Sequence, residues 1–183
     1  MAITRLGGAN AITGTIPQGN IANASLGAVT ALPAGVGGKV LQVQQVSTST
    51  QTAINGTTWT DIGGLELTIT PIISSSKFFI TCDVSFRLET TASLTEPNSN
   101  LRFTKDGSAL WTEATWGGFS LRSASARTDT FGIIRDSRNF LDTNSHSTSD
   151  IVYKVQGVTE GSSEKITFNE SNITSRLHVM EIA

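Results

Sequence analysis

The stretch Lys77-Phe78-Phe79-Ile80-Thr81-Cys82-Asp83-Val84-Ser85-Phe86-Arg87-Leu88-Glu89 decides the fold. Phe78, Ile80, Cys82, Val84, Phe86 and Leu88 occupy alternate positions, with Thr81, Asp83, Ser85, Arg87 and Glu89 between them. Successive side chains of a strand point to opposite faces, so this alternation specifies one apolar and one polar face. That is the pattern of a half-buried antiparallel strand. Phe79 alone interrupts the polar row.

Working outward, shorter strands are expected at 40–46 and 65–70 before it, and at 100–104, 109–112, 128–134, 151–158, 165–169 and 176–182 after it. Lys105-Asp106-Gly107-Ser108 joins two of them. Its Asp-Gly step favours a type I′ hairpin, because glycine accepts the positive φ that this turn demands. No apolar period of 3.6 residues runs for a useful length. Strand-length runs separated by Ser, Thr, Asn and Gly predict an all-β, antiparallel β-sandwich of jelly-roll-like type.

The first part of the chain reads differently. Residues 1–37 carry a single charge, Arg5, and form an extended N-terminal arm; residues 38–183 form the sandwich head. Ile12, Ile16, Ile21 and Leu26 are spaced too sparsely to build a core within one chain. Pro17, with Gly14 and Gly19, argues against a helix. Two readings are open: a flexible tail, or an arm whose four apolar side chains dock on neighbouring chains. Pro33 to Gly38 is the turn-rich separator.

Composition narrows the chemistry. The chain has 183 residues, 15% of them charged, and a net charge of -2. Without clustered Lys and Arg there is no footprint for a nucleic-acid backbone. No apolar stretch is long enough for membrane insertion, and no secretory leader pattern opens the sequence. Cys82 is the only cysteine, which excludes an intramolecular disulfide and a cysteine-based zinc site.

Catalytic constellations are sparse. His146 sits in a polar loop and His178 in the expected last strand, and no Gly-x-Ser-x-Gly accompanies them. Asp136, Asp142 and Asp150 read as a loop cluster that could pair for glycoside hydrolysis or hold calcium, but their spacing matches no known calcium loop. No cofactor and no metal is expected. Trp116, before Gly117-Gly118, and Phe119 are the candidate receptor contacts, since exposed aromatics stack on sugars; Trp59 and Trp111 read as packing residues. The triplets at Asn55, Asn169 and Asn172 are those expected by chance in a Ser/Thr-rich chain.

Two stretches resemble bacteriophage tail-fibre and related virion proteins. One is Ile12-Thr13-Gly14-Thr15-Ile16-Pro17-Gln18-Gly19-Asn20-Ile21, which looks like a fibre shaft segment. The other runs through the head, from Gly38-Lys39-Val40-Leu41-Gln42-Val43 by Leu67-Thr68-Ile69-Thr70-Pro71, Phe140-Leu141-Asp142 and Tyr153-Lys154-Val155-Gln156 to His178-Val179-Met180-Glu181-Ile182. The resemblance implies a homotrimeric, non-enzymatic virion protein, and the missing leader pattern fits assembly in the host cytoplasm. Its arm (Ile12, Ile16, Ile21, Leu26) would engage tail, baseplate or coat proteins, and its head would meet a host surface glycan. Two rivals stand beside this short tail fibre: a capsid decoration protein that stabilises the shell, and a glycan-cleaving tail enzyme.

Overall fold

The computed structural model describes residues 40–90, 98–112, 119–120 and 132–183. The arm, its four apolar candidates and Trp116 lie outside these residues.

The head is an antiparallel sandwich. One sheet contains β1 (Val40–Thr48), β2 (Thr52–Asn55), β4 (Lys77–Thr90), β8 (Ile134–Asp142), β10 (Glu164–Phe168) and β11 (Ser175–Ile182). The other contains β3 (Thr60–Ile69), β5 (Asn98–Lys105), β6 (Ser108–Thr112), β7 (Phe119–Ser120) and β9 (Ile151–Thr159). β4 organises the first sheet. One of its edges pairs with β8, and the other pairs with β11 over its first half and β10 over its second. β1 and β2 pair in turn with β11 and β10.

β1 with β2, β6 with β7, and β10 with β11 therefore each act as one interrupted strand. Counted so, the sheets contain strands in the order 1-8-3-6 and 2-7-4-5. This is the eight-stranded jelly roll, which folds two Greek keys into facing sheets.

The alternation of β4 is realised. Phe78, Ile80, Cys82, Val84, Phe86 and Leu88 are all buried and pack with Leu101, Phe103, Tyr153, Val155, Ile166, Phe168, Leu177 and Val179. Burial of each large side chain contributes about 1.5–3 kcal/mol, and these contacts hold the two sheets together.

Backbone details follow local sequence. Asp106 and Gly107 both have positive φ, 50° and 81°, as the type I′ hairpin requires. Gly64, at φ 79°, lies where the register of β3 against β9 shifts, so a bulge takes up the extra residues. The β10–β11 break is an excursion from Asn169 with Asn169, Ser171 and Asn172 in the left-handed region.

The structure corrects several expectations. Asp136 and Asp142 lie on strand β8 instead of in a loop. Four residues of the expected strand 128–134 lie outside the described residues, and β8 begins at its last, Ile134. Phe119, expected in a loop, has its backbone in β7, paired with Ser99. β2 was not foreseen, because four residues with one buried apolar side chain, Ile54, show no periodicity.

Candidate functional site

The sandwich has two ends. At one lie the start of β1, the loop between β3 and β4, the β5–β6 turn, the loop between β8 and β9, and the end of β11. At the other lie the β2–β3 and β9–β10 turns.

Buried carboxylates fasten these loops to strand ends. Glu181, 0% exposed on β11, accepts Ser76 Oγ at 2.6 Å, Gln42 Nε2 at 2.6 Å, and the backbone N–H groups of Ile72 and Ile73 at 2.9 and 3.2 Å. Burial pushes its carboxyl up, but these donors together outweigh burial and hold it below the ordinary value. Asp142, on β8, accepts Tyr153 Oη at 2.8 Å, Lys105 Nζ at 2.9 Å and Asn144 N at 2.9 Å. Burial, then the bond to Asp142, pushes the Tyr153 hydroxyl far up. At the other end Glu164 accepts Asn98 N at 3.0 Å and Gly161 N at 2.8 Å.

His146 turns inward. Its ring packs edge-on to Phe78 at 5.0 Å, and its Nε2 lies 3.2 Å from both Ser76 Oγ and Ile73 O. Ser76, His146 and Glu181 thus meet, which sequence spacing did not foreshadow. The order differs from a nucleophilic triad, where the carboxylate orients the histidine. Here Ser76 Oγ donates its hydrogen bond to Glu181 directly, and the cluster ties loops together. His178 lies on the outward side of β11, with Nε2 2.8 Å from Gln45 Oε1.

The three aspartates grouped by sequence are not a cluster. Asp136 pairs with Arg138 at 2.8 Å, Asp142 with Lys105, and Asp150 accepts Thr70 Oγ1 at 2.5 Å. Among the described residues no group of three or more His, Cys, Asp or Glu converges on a metal-sized site. Asn169 is fully buried, donating to Thr50 O at 2.9 Å and accepting Ser175 Oγ, so in the folded head it is closed to a glycan.

Trp59 is not a core residue. It is half-buried, with the Arg102 guanidinium 4.5 Å from its ring centre. Arg102 Nε donates to Gln156, whose amide donates to Asp61, and Lys154 spans Asp61 and Glu66. The Gln156 bond holds the Asp61 carboxyl below its usual range, with Lys154 adding to the effect.

Two features of the outward face of the first sheet stand out. Val43 pairs with Met180, Met180 with Phe79, and Phe79 with Leu141. All four face away from the core, forming one apolar row across four strands, or about 14 Å. Val43 is 57% and Leu141 45% exposed. This row explains Phe79, the residue that interrupts the polar alternation of β4.

Two rows away the same face opens into a cleft of about 310 Å³. Asp83 and Ser85 of β4, Arg135 and Ser137 of β8, and Thr174 and Arg176 at the start of β11 line it. Ser137 Oγ donates to Asp83 at 2.6 Å.

No protein-family model matches the chain, and no curated protein matches it at a significant level.

Proposed function

We propose that the chain is a non-enzymatic structural protein of a bacteriophage particle: a short tail fibre whose heads associate as a homotrimer and face the host surface. The observation that carries this reading is the exposed row Val43, Met180, Phe79 and Leu141. An aligned apolar strip on a sheet face suits contact with another protein surface.

The row lies at the end of the sandwich where the chain enters at Val40, the end nearest the arm in sequence. Association there leaves the turns of the opposite end free to point outward. Jelly rolls serve as virion and lectin domains alike, so the architecture is compatible with display and with sugar contact. Fold alone does not fix a function, and the sequence resemblance supplies the rest of the support. Weak contacts at each head would be multiplied by the copies in one fibre.

The same row also favours a second reading, a decoration protein whose head rests on coat subunits. Gold-labelled antibody against the head, imaged on intact particles, separates them. Label at the tail or baseplate is the expected result. Label over the icosahedral shell would overturn the fibre and establish decoration.

A further inference from the structure

The cleft on the first sheet holds unspent polar chemistry. Arg135 and Arg176 line it, and neither guanidinium has an ion-pair or hydrogen-bond partner among the described residues. Ser85 is 1% exposed and lines the same cleft, and its Oγ has no hydrogen-bond partner. A buried hydroxyl left unsatisfied carries a desolvation cost, and a ligand that reaches it recovers that cost. The backbone of Ser85 is committed: its N–H donates to Ser175 Oγ at 3.0 Å and its carbonyl accepts Asn169 N at 2.9 Å. Its position at the floor is therefore fixed from both sides.

The register gives the spacing. Arg135 is opposite Ser85, and Arg176 is opposite Asp83, on the two strands that flank β4. The two arginine backbones are therefore about 10 Å apart across the sheet and about 7 Å along it. Both side chains line the cleft between them. Asp136 also lines the cleft and pairs with Arg138 at 2.8 Å, which leaves Asp83 as the lining carboxylate with no ion pair among the described residues, beside Arg135 and Arg176. A guanidinium presents paired donors that match a carboxylate, while Asp83, Ser85 and Ser137 suit ring hydroxyls.

We propose that this cleft binds one uronic-acid unit of a surface polysaccharide, its carboxylate held by Arg135 and Arg176 and its hydroxyls by Asp83 and Ser85. This rests on the host-binding reading above and places the contact on the face of the first sheet, whereas Phe119 belongs to the second.

The test titrates the full chain with a galacturonic-acid trimer, with maltotriose as the neutral sugar and with inorganic phosphate. The uronate trimer should bind at least tenfold more tightly than either, and R135A/R176A should lose at least tenfold in affinity for it. Both side chains are exposed, so the variant should keep its fold, checked by circular dichroism. Equal binding of maltotriose, equal binding of phosphate, unchanged binding by the double variant, or no uronate binding would each overturn the proposal. Failure here leaves the fibre reading intact, because that reading stands or falls on where antibody labels the particle.

Discussion

Glu181 and Ser76, 105 positions apart in sequence, meet at 2.6 Å in the interior of the head. The contact joins the last strand to the loop that launches β4, and the backbone N–H groups of Ile72 and Ile73 converge on the same carboxylate. A buried charge is tolerated when every lone pair is met, and here four donors meet it.

Glu181→Gln should destabilise the head by about 3 kcal/mol, because an amide cannot accept from all of these donors at once. The pH dependence has a definite sign. The folded carboxyl is depressed, so its contribution is present above the ordinary glutamate value of about 4.3 and is lost as pH falls through the lower folded value. Asp136 acts in the opposite sense: burial raises its carboxyl, so its charged form is penalised in the fold and acid relieves that penalty. Urea unfolding of wild type and Glu181→Gln should therefore converge as pH falls below 4; a gap that stays constant would refute the role assigned to Glu181.

Asp142→Asn should cost about 3–5 kcal/mol, since Lys105 would remain largely buried without its counter-charge. Adding Lys105→Met should restore part of the loss. A double-mutant cycle measures this directly, and strict additivity of the two changes would contradict a coupled pair.

Gly157 faces the core from β9. A Cβ there would lie 2.9 Å from Phe168 and 3.0 Å from Ile54. Gly157→Ala should destabilise by about 1–3 kcal/mol through overpacking. Thermal unfolding indistinguishable from wild type would show that the two sheets can separate locally at no cost.

Val43→Lys with Leu141→Lys should leave stability within about 0.5 kcal/mol, because both positions are exposed. It should convert an associated wild type to monomer in sedimentation velocity. A cysteine placed at Val43 offers a second readout, since the native Cys82 is fully buried and burial raises its thiol well above the ordinary value. The Val43 thiol should label slowly in the assembly and rapidly after dilution; equally fast labelling in both would exclude the row as the contact.

Much of the fold could be read from β4, whose period of two survives in the structure residue by residue. The hairpin at Asp106-Gly107 was legible for the same reason: backbone conformation there is a local property of the side chains. β8 was not legible. Its inward positions are Ile134, Asp136, Arg138, Phe140 and Asp142, so charged groups stand where an interior strand would carry apolar ones. β8 is bordered among described strands only by β4, and inward charges discourage an exposed edge from pairing with another chain. β11 inverts its pattern at the end, with Met180 outward and Glu181 inward, and this hid both the apolar row and the buried carboxylate. The cleft was invisible in sequence, because Asp83, Arg135 and Arg176 come from three strands and meet only through register.

The excursion between β10 and β11 carries one more consequence. Asn169 and Ser175 are both fully buried and hydrogen-bonded to each other, while Ser171, Asn172 and Thr174 between them are exposed. The two anchors fix the register of the flanking strands whatever lies between. Glu170 is held by its ion pair with Arg87, so the change the frame tolerates best lies at exposed Thr174, and because Thr174 borders the cleft, a substitution there would reshape the cleft's rim while leaving the two anchors untouched.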